Sequence, residues 1–252
     1  MHDPRSQFGP AAESYLTSAM HSSQRALDRL VELAQPSGEL ALDVATGAGH
    51  VAFALAPFFK CVVVSDITPE MLGVARRTAE SRGLRNLTYT FAAAQALPFR
   101  SSTLSLVACR LGAHHFSDAL AFLSEASRVL KPGGKLLLTD NVGIEEDDAA
   151  DAELQRIETL RDPSHGRYLR ESEWLAMLAH QGFEVKAQET TRKPINALDW
   201  LTRMRVPEAE HATILALIAK SKGSLADYLR PRGQGDELSF DLLEMTVVGV
   251  RP

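Results

Sequence analysis

From about residue 40 onward, apolar runs of strand length alternate with amphipathic segments of helix length. The runs at 40–45, 61–65, 87–91, 104–109 and 135–139, with weaker ones at 183–189 and 240–250, predict seven strands. Several are apolar almost throughout, as strands buried on both faces must be. The segments between them carry helix punctuation. Thr68, Pro69 and Glu70 put a capping hydroxyl, a first-turn proline and an acid in order, and Gly83 follows as a stop. A helix at 50–55 follows the first strand directly. Ser117 and Asp118 open a later one, with Leu120, Leu123, Val129 and Leu130 as its sheet-facing positions and Lys131-Pro132-Gly133-Gly134 as its close. Gly182 ends another at 174–181. Such alternation predicts an α/β fold, a mostly parallel seven-stranded sheet with helices on both faces.

Three stretches fall outside the alternation. Residues 10–35 place Leu16, Met20, Leu27, Leu30, Val31 and Leu33 at near-helical spacing before Pro36-Ser37-Gly38, which predicts two short helices. Residues 144–170 and 193–235 are rich in charge and in helix formers, and are expected to form a small helical lid. No repeat or linker divides the chain. The expected organisation is one domain over 1–252: N-terminal helices at 1–36, a sheet core at 37–143, the two lid insertions, and a last strand within 236–252.

A chain of 252 residues, 45% of them hydrophobic, buries a full core. Net charge is −5 and the lysines and arginines are scattered, so nucleic acid is not an expected partner. No apolar run reaches the roughly 18 residues of a membrane span, and the first residues lack the apolar centre of a signal peptide. The expected location is the cytoplasm, with no membrane span. Cys61 and Cys109 sit in strand-like runs and are expected to be buried thiols.

The chemistry concentrates after the first strand, at Leu42-Asp43-Val44-Ala45-Thr46-Gly47-Ala48-Gly49. Gly47 and Gly49 permit a tight turn and close approach of a ligand, with the free N–H groups of a helix start behind them. A bare Gly-x-Gly is equally a turn with no ligand. Two acids sharpen it. Asp43, four residues before Gly47, suits an ammonium group; Asp66, ending the second strand 17 residues past Gly49, suits paired ribose hydroxyls or, alternatively, a helix cap.

These residues resemble motif I of the class I S-adenosylmethionine (SAM)-dependent methyltransferases. Further blocks follow in the family's order: 65–72, opening with Ser65-Asp66-Ile67; Ala96-Leu97-Pro98-Phe99; Arg110-Leu111-Gly112-Ala113-His114-His115-Phe116; and Val129-Leu130-Lys131-Pro132-Gly133-Gly134. Within the superfamily the resemblance is to the methyltransferase type 11 branch, which includes the ubiquinone and menaquinone C-methyltransferases, and to related small-molecule enzymes. Leu160-Arg161-Asp162-Pro163-Ser164-His165 is similar to a segment of that group. The resemblance implies a Rossmann-like sheet with an antiparallel last strand, SAM as cofactor and a small-molecule methyl acceptor as partner. It also implies a cofactor site of Asp43, Ala45, Gly47, Gly49, Asp66, Ile67, Met71, Ala94, Gln95, Arg110 and His115. Two departures stand out. Where the family carries an acid for the adenine amino group this chain has Ala92-Ala93-Ala94-Gln95, so a backbone group or Gln95 must serve; Ser105 replaces the acid usual in the fourth strand.

A sulfonium methyl donor needs alignment and exclusion of water more than it needs a strong base. For an enol, phenol or activated carbon, a histidine near the acceptor assists. His165, in the lid, and His115, at the sheet's carboxyl edge, are the expected catalytic candidates, with loop stiffening and ring packing as their competing roles. His114 has the same position but a structural expectation. Asp140, Asn141, Tyr15 and His21 are further groups that the acceptor cleft might recruit. Two other functions fit the same residues. Gly47-Ala48-Gly49-His50-Val51-Ala52 also matches the dinucleotide fingerprint of a nicotinamide oxidoreductase, against which Asp43 and Pro132-Gly133-Gly134 argue. A SAM-binding protein without methyl transfer, or with a repurposed reaction, accommodates Ala93 and Ser105.

Overall fold

The computed structural model describes residues 3, 5–9, 12 and 23–252; Leu16, Met20, Tyr15 and His21 lie outside the described residues. Helix α1 (Gln24–Ala34) starts at Ser23, whose hydroxyl accepts from the Ala26 N–H, and buries Leu27, Leu30 and Ala34. The alternation then runs β1 (Gly38–Val44), α2 (His50–Leu55), β2 (Phe59–Asp66), α3 (Pro69–Ser81), β3 (Leu87–Phe91), β4 (Leu104–Arg110), α4 (Ala119–Val129) and β5 (Leu130–Asn141). After it come α5 (Asp148–Arg161), α6 (Glu171–His180), β6 (Glu184–Asn196), α7 (Ala197–Arg203), α8 (Glu208–Ala219), α9 (Gly223–Leu229) and β7 (Ser239–Val250).

All seven predicted strands form, in one sheet of order β3-β2-β1-β4-β5-β7-β6. Strands β1 to β5 pair in parallel, while β7 runs antiparallel to both β5 and β6. Because side chains alternate along a strand, β1 sends Leu42 and Val44 to one face and Ala41 to the other. On the first face Leu42 packs with Phe122, Leu123, Ala126 and Val129 of α4 and Trp174 and Leu178 of α6. On the second, Ala41 packs with residues of α1, α2 and α3. A third apolar cluster joins Ile144, Leu154 and Ile157 to Trp200, Ile214 and Tyr228, so the two lid stretches share one core.

Three boundaries and one side-chain facing depart from the pattern reading. Helix α4 stops at Val129, and Leu130 is already extended and paired with Leu104; Pro132 disfavours helix in the residue before it, so Lys131-Pro132-Gly133-Gly134 opens β5 instead of closing α4. Leu120 is exposed, because the helical stripe defined by Phe122, Ala126 and Val129 turns it outward. Residues 193–196 belong to β6, which stays paired with β7 to its end. Helix α6 begins at Glu171, a turn early, because the Glu173 carboxylate reaches back to the Arg170 N–H at 2.9 Å. Asp118 caps α4 as expected, its Oδ1 accepting from the Ala121 N–H, whereas the Thr68 side chain does not cap α3. Cys109 is buried, but Cys61 on β2 is only half-buried.

Candidate active site

The sheet's connection order reverses between β1 and β4, and the loops leaving β1, β2 and β4 therefore open into one crevice at the carboxyl ends of the strands. Register pairs Val44 with Ser65 and with Cys109, so the three loops start at the same level. Ala45 and Leu111 both hold positive φ, 52° and 53°, unusual for residues with a Cβ. They bend their loops toward each other until a Cβ on Gly112 would lie 2.8 Å from that of Ala45.

This crevice is an open cavity of about 810 Å³. Of the expected cofactor residues, Ala45, Gly47, Asp66, Ile67, Met71, Arg110 and His115 line it. Gly47 has φ 55°, and a Cβ built there would meet nothing within 4 Å, so any side chain would project into open space. Asp66 is buried and clamps its neighbours, Oδ2 accepting from the Gly47 N–H and Oδ1 from the Thr68 N–H, each at 2.9 Å. The carboxylate thus holds the turns after β1 and β2, caps neither following helix, and lines the cavity.

The remaining expected cofactor residues stand behind this wall. Asp43 does not line the cavity. Its Oδ2 accepts from the Thr46 hydroxyl at 2.5 Å and from the Ala52 N–H at 3.0 Å, tying the loop to the start of α2. Burial pushes its carboxyl up to about 7, against the lowering effect of those two hydrogen bonds. Gly49, at φ 92°, serves packing: a Cβ there would meet the Phe53 ring at 2.5 Å. Ala94 is buried and Gln95 approaches the Ser117 hydroxyl at 3.5 Å; neither lines the cavity. Their loop is pinned from α4, where Glu125 accepts from the Leu97 N–H and Arg128 donates to the Leu97 and Phe99 carbonyls.

A second cavity of about 440 Å³ adjoins the first, and Phe8, Leu111 and His115 line both. His114, Asn141, Arg161, Tyr168, Trp200 and Arg203 are among its other walls. The 162–168 loop is fastened here, with the N–H groups of Gly166 and Arg167 both donating to the His114 carbonyl. His165 lines neither cavity. It is buried with Nε2 2.9 Å from Gln155 Oε1, and burial, reinforced by the charges of His114 and His115, holds its basicity well below the ordinary histidine range. The sequence placed it in the lid; the docking of the loop on the turn after β4 buries it there.

Comparison with known proteins agrees with this architecture. Residues 42–138 match the family described as "Methyltransferase domain". The chain is 30% identical to the uncharacterized methyltransferase YcgJ of Bacillus subtilis over 247 residues, 97% of each protein. The crystal structure of YcgJ superimposes with a TM-score of 0.85, covering 90% of this chain and 98% of that one. The chain belongs to the class I methyltransferases. The BH2331 protein of Bacillus halodurans C-125 gives the same TM-score at 36% identity, over 90% of this chain and 99% of that one. The ubiquinone/menaquinone biosynthesis C-methyltransferase UbiE of Zymomonas mobilis is 38% identical over 109 residues, 43% of this chain and 45% of that one.

In this methyltransferase a close side-chain pair at the smaller cavity joins His114, which sequence reading left as structural, to Asp140, which it listed as able to face the acceptor. His114 Nδ1 lies 2.6 Å from Asp140 Oδ1, and the His114 backbone N–H donates to Asp140 Oδ2 at 2.9 Å. Burial lowers the imidazole's proton affinity, but the charge and hydrogen bond of Asp140, with Glu158 and Asp162 behind, outweigh it and raise the pKa above the ordinary value. His115 goes the other way. Burial and the neighbouring His114 push it down to about 4, although its Nδ1 sits 3.1 Å from the Ser164 carbonyl. The clue in the sequence was the coincidence of a histidine after one strand with an aspartate ending its neighbour; only the parallel register of β4 and β5 makes that coincidence a contact. Among the described residues no helix is long and apolar enough to cross a membrane, and no group of three or more His, Cys, Asp or Glu side chains is placed to hold a metal ion.

Proposed function

We propose that this methyltransferase moves the methyl group of S-adenosylmethionine to a carbon or oxygen of a small organic molecule. The observation that carries the reading is the pair of adjoining cavities with a common wall of Phe8, Leu111 and His115, one open and large, the other smaller and polar. The residues of the larger cavity fit the cofactor: the path in front of Gly47 is clear, the Asp66 carboxylate stands beside it for hydroxyl groups, and Ile67 and Met71 offer an apolar wall. SAM, when bound, supplies an electrophilic methyl on a positive sulfonium. The chain's own residues then have three tasks: to hold the donor from the β1, β2 and β4 loops, to present the acceptor from the smaller cavity, and to keep water away. The helices at 144–170 and 193–235 act as the lid for the last of these, since they close the acceptor side with Trp200, Arg161 and Tyr168.

A concavity of about 440 Å³, counted with the space open to solvent, has the size of a metabolite site and favours a small molecule over a polymer. The test is calorimetric binding of SAM and of NADH to the purified protein, followed by transfer from methyl-labelled SAM into a metabolite extract. SAM binding with label in a small molecule is expected. Label entering only RNA, DNA or protein, or NADH binding in place of SAM, overturns the reading.

A further inference from the structure

Two acids at the smaller cavity, Asp140 behind its wall and Asp162 in it, are engaged by protein groups. Asp140, 1% exposed, turns every oxygen inward: Oδ1 to the His114 ring and the Asn141 N–H, Oδ2 to the His114 N–H. Asp162 Oδ1 likewise accepts from the Ser164 N–H and hydroxyl. The walls of the space carry Arg161 and Arg203, the His114 ring and Asn141, with Asp162 among them, its Oδ2 3.8 Å from His115 Nε2. Arg161 is held in place by stacking 4.5 Å over the Trp200 ring and by donating to the Trp200 carbonyl at 3.2 Å. Phe8, Tyr168 and Trp200 supply flat apolar surface around these groups.

We infer that the smaller cavity takes an acceptor with a weakly acidic hydroxyl on a planar framework, a phenol or an enol, and that His114 Nε2, oriented by Asp140, removes the hydroxyl proton. With Nδ1–H committed to Asp140, the ring presents the lone pair of Nε2, which has no hydrogen-bond partner among the described residues. The O–H bond breaks, its proton passes to Nε2, and its electron pair stays on the acceptor as an oxyanion conjugated with the ring or double bond. That pair, at oxygen or at the conjugated carbon, forms the bond to the methyl carbon of the sulfonium donor, while the carbon–sulfur pair returns to sulfur and leaves a neutral thioether. His114 then releases its proton to water once the product departs. Arg161 and Arg203 hold the oxyanion meanwhile.

The groups that bear on the proton affinity of His114 come from every neighbouring element: Asp140 on β5; Glu158 and Arg161 on α5; Asp162, His165 and Tyr168 in the loop beyond; and His115 beside it. The three acids raise it, so catalysis is lost on acidification through a midpoint above the ordinary histidine value, and Asp140→Asn moves that midpoint down.

The inference rests on the smaller cavity being the acceptor's, and its test needs no methyl donor. The probe is 4-nitrophenol, whose ionised form alone is yellow, added to the unliganded protein about one pH unit below the dye's own pKa. Quenching of Trp200 fluorescence, absent in Trp200→Phe, reports occupancy of the cavity. The bound dye is expected to show a phenolate-to-phenol ratio about tenfold above the free dye, and His114→Gln and Asp140→Asn each to cut that gain at least about threefold. Imidazole titrations by NMR provide a second measure, with the His114 resonance titrating above the ordinary value in the wild type and lower in Asp140→Asn. Dye bound as the phenol, a His114→Gln variant with the full gain, or a His114 midpoint unmoved in Asp140→Asn overturns the inference. The two readings fail separately: SAM binding with a protonated dye sinks this one, whereas an ionised dye without SAM binding sinks the methyl donor's assignment.

Discussion

The two cavities are built on opposite plans. The walls of the larger come from three short contiguous stretches, 45–51, 66–71 and 110–116, each directly following a strand, together with Phe8. The smaller draws on the turn after β4, the end of β5, α5 and its following loop, α7 and β7, elements spread over more than half the chain. A site built from contiguous strand ends inherits its geometry from the sheet and leaves a motif behind. One assembled from insertions has its geometry set by packing, here the cluster of Ile157, Trp200 and Tyr228, and its residue types are free to follow the acceptor.

The comparison breaks most sharply at Gly47. Gly47→Val places a branched side chain at φ 55° and fills the space in front of the loop, so SAM affinity should fall by about a hundredfold or more, while 4-nitrophenol still enters the smaller cavity. Calorimetry of both ligands on the same preparation checks this, and normal SAM affinity would refute the loop assignment. Asp66→Ala should cost about 1.5–3 kcal/mol of SAM binding. It should also lower the melting temperature, since the Gly47 and Thr68 N–H groups lose their acceptor; an unchanged dissociation constant with an intact circular dichroism spectrum would remove Asp66 from the site.

Smaller effects sharpen the contrast. His165→Ala deletes a hydrogen bond to Gln155, whose Oε1 also accepts from the Tyr168 N–H, and should destabilise by about 1–2 kcal/mol while turnover stays within about threefold. A hundredfold loss of turnover with unchanged stability would restore His165 to the chemistry. Asp43→Asn tests the least exposed acid of the cofactor loop. Its carboxyl, ordinarily near 3.8, is raised to about 7 in the fold, so the folded state keeps a proton that the unfolded chain releases, and this contribution to stability is lost as pH rises through that window. The neutral carboxamide has no such loss. The stability of Asp43→Asn relative to wild type should therefore improve by about 1–2 kcal/mol between about pH 4 and pH 8, read from urea denaturation at the two pH values. A difference that stays flat with pH would show that Asp43 is ionised throughout.

Much of the larger cavity was legible in the chain itself. Strand-length apolar runs set the sheet, because burial on both faces demands them. Gly47 and Asp66, which line the larger cavity, stood out in the sequence because a turn at positive φ and a carboxylate at a strand end leave few alternative residue types. Asp43 and Gly49 belong to the same motif, yet in the structure they hold the loop and helix from behind; adjacency along the chain does not say which side of a turn faces the ligand. The smaller cavity was largely illegible. His165 was a catalytic candidate in the lid, and in the structure its loop is docked and its ring buried. His114 and Asp140 are 26 residues apart, and nothing local marks them as partners. Local sequence thus determined the elements, their order and the strand ends that form the larger crevice, since these follow from short-range periodicity and backbone conformation. Which histidine met which carboxylate, and which face of the lid closed the second cavity, was decided only when β5 paired with β4 and α5 and α7 packed together, because those contacts depend on register and interlocking side chains far apart in the chain.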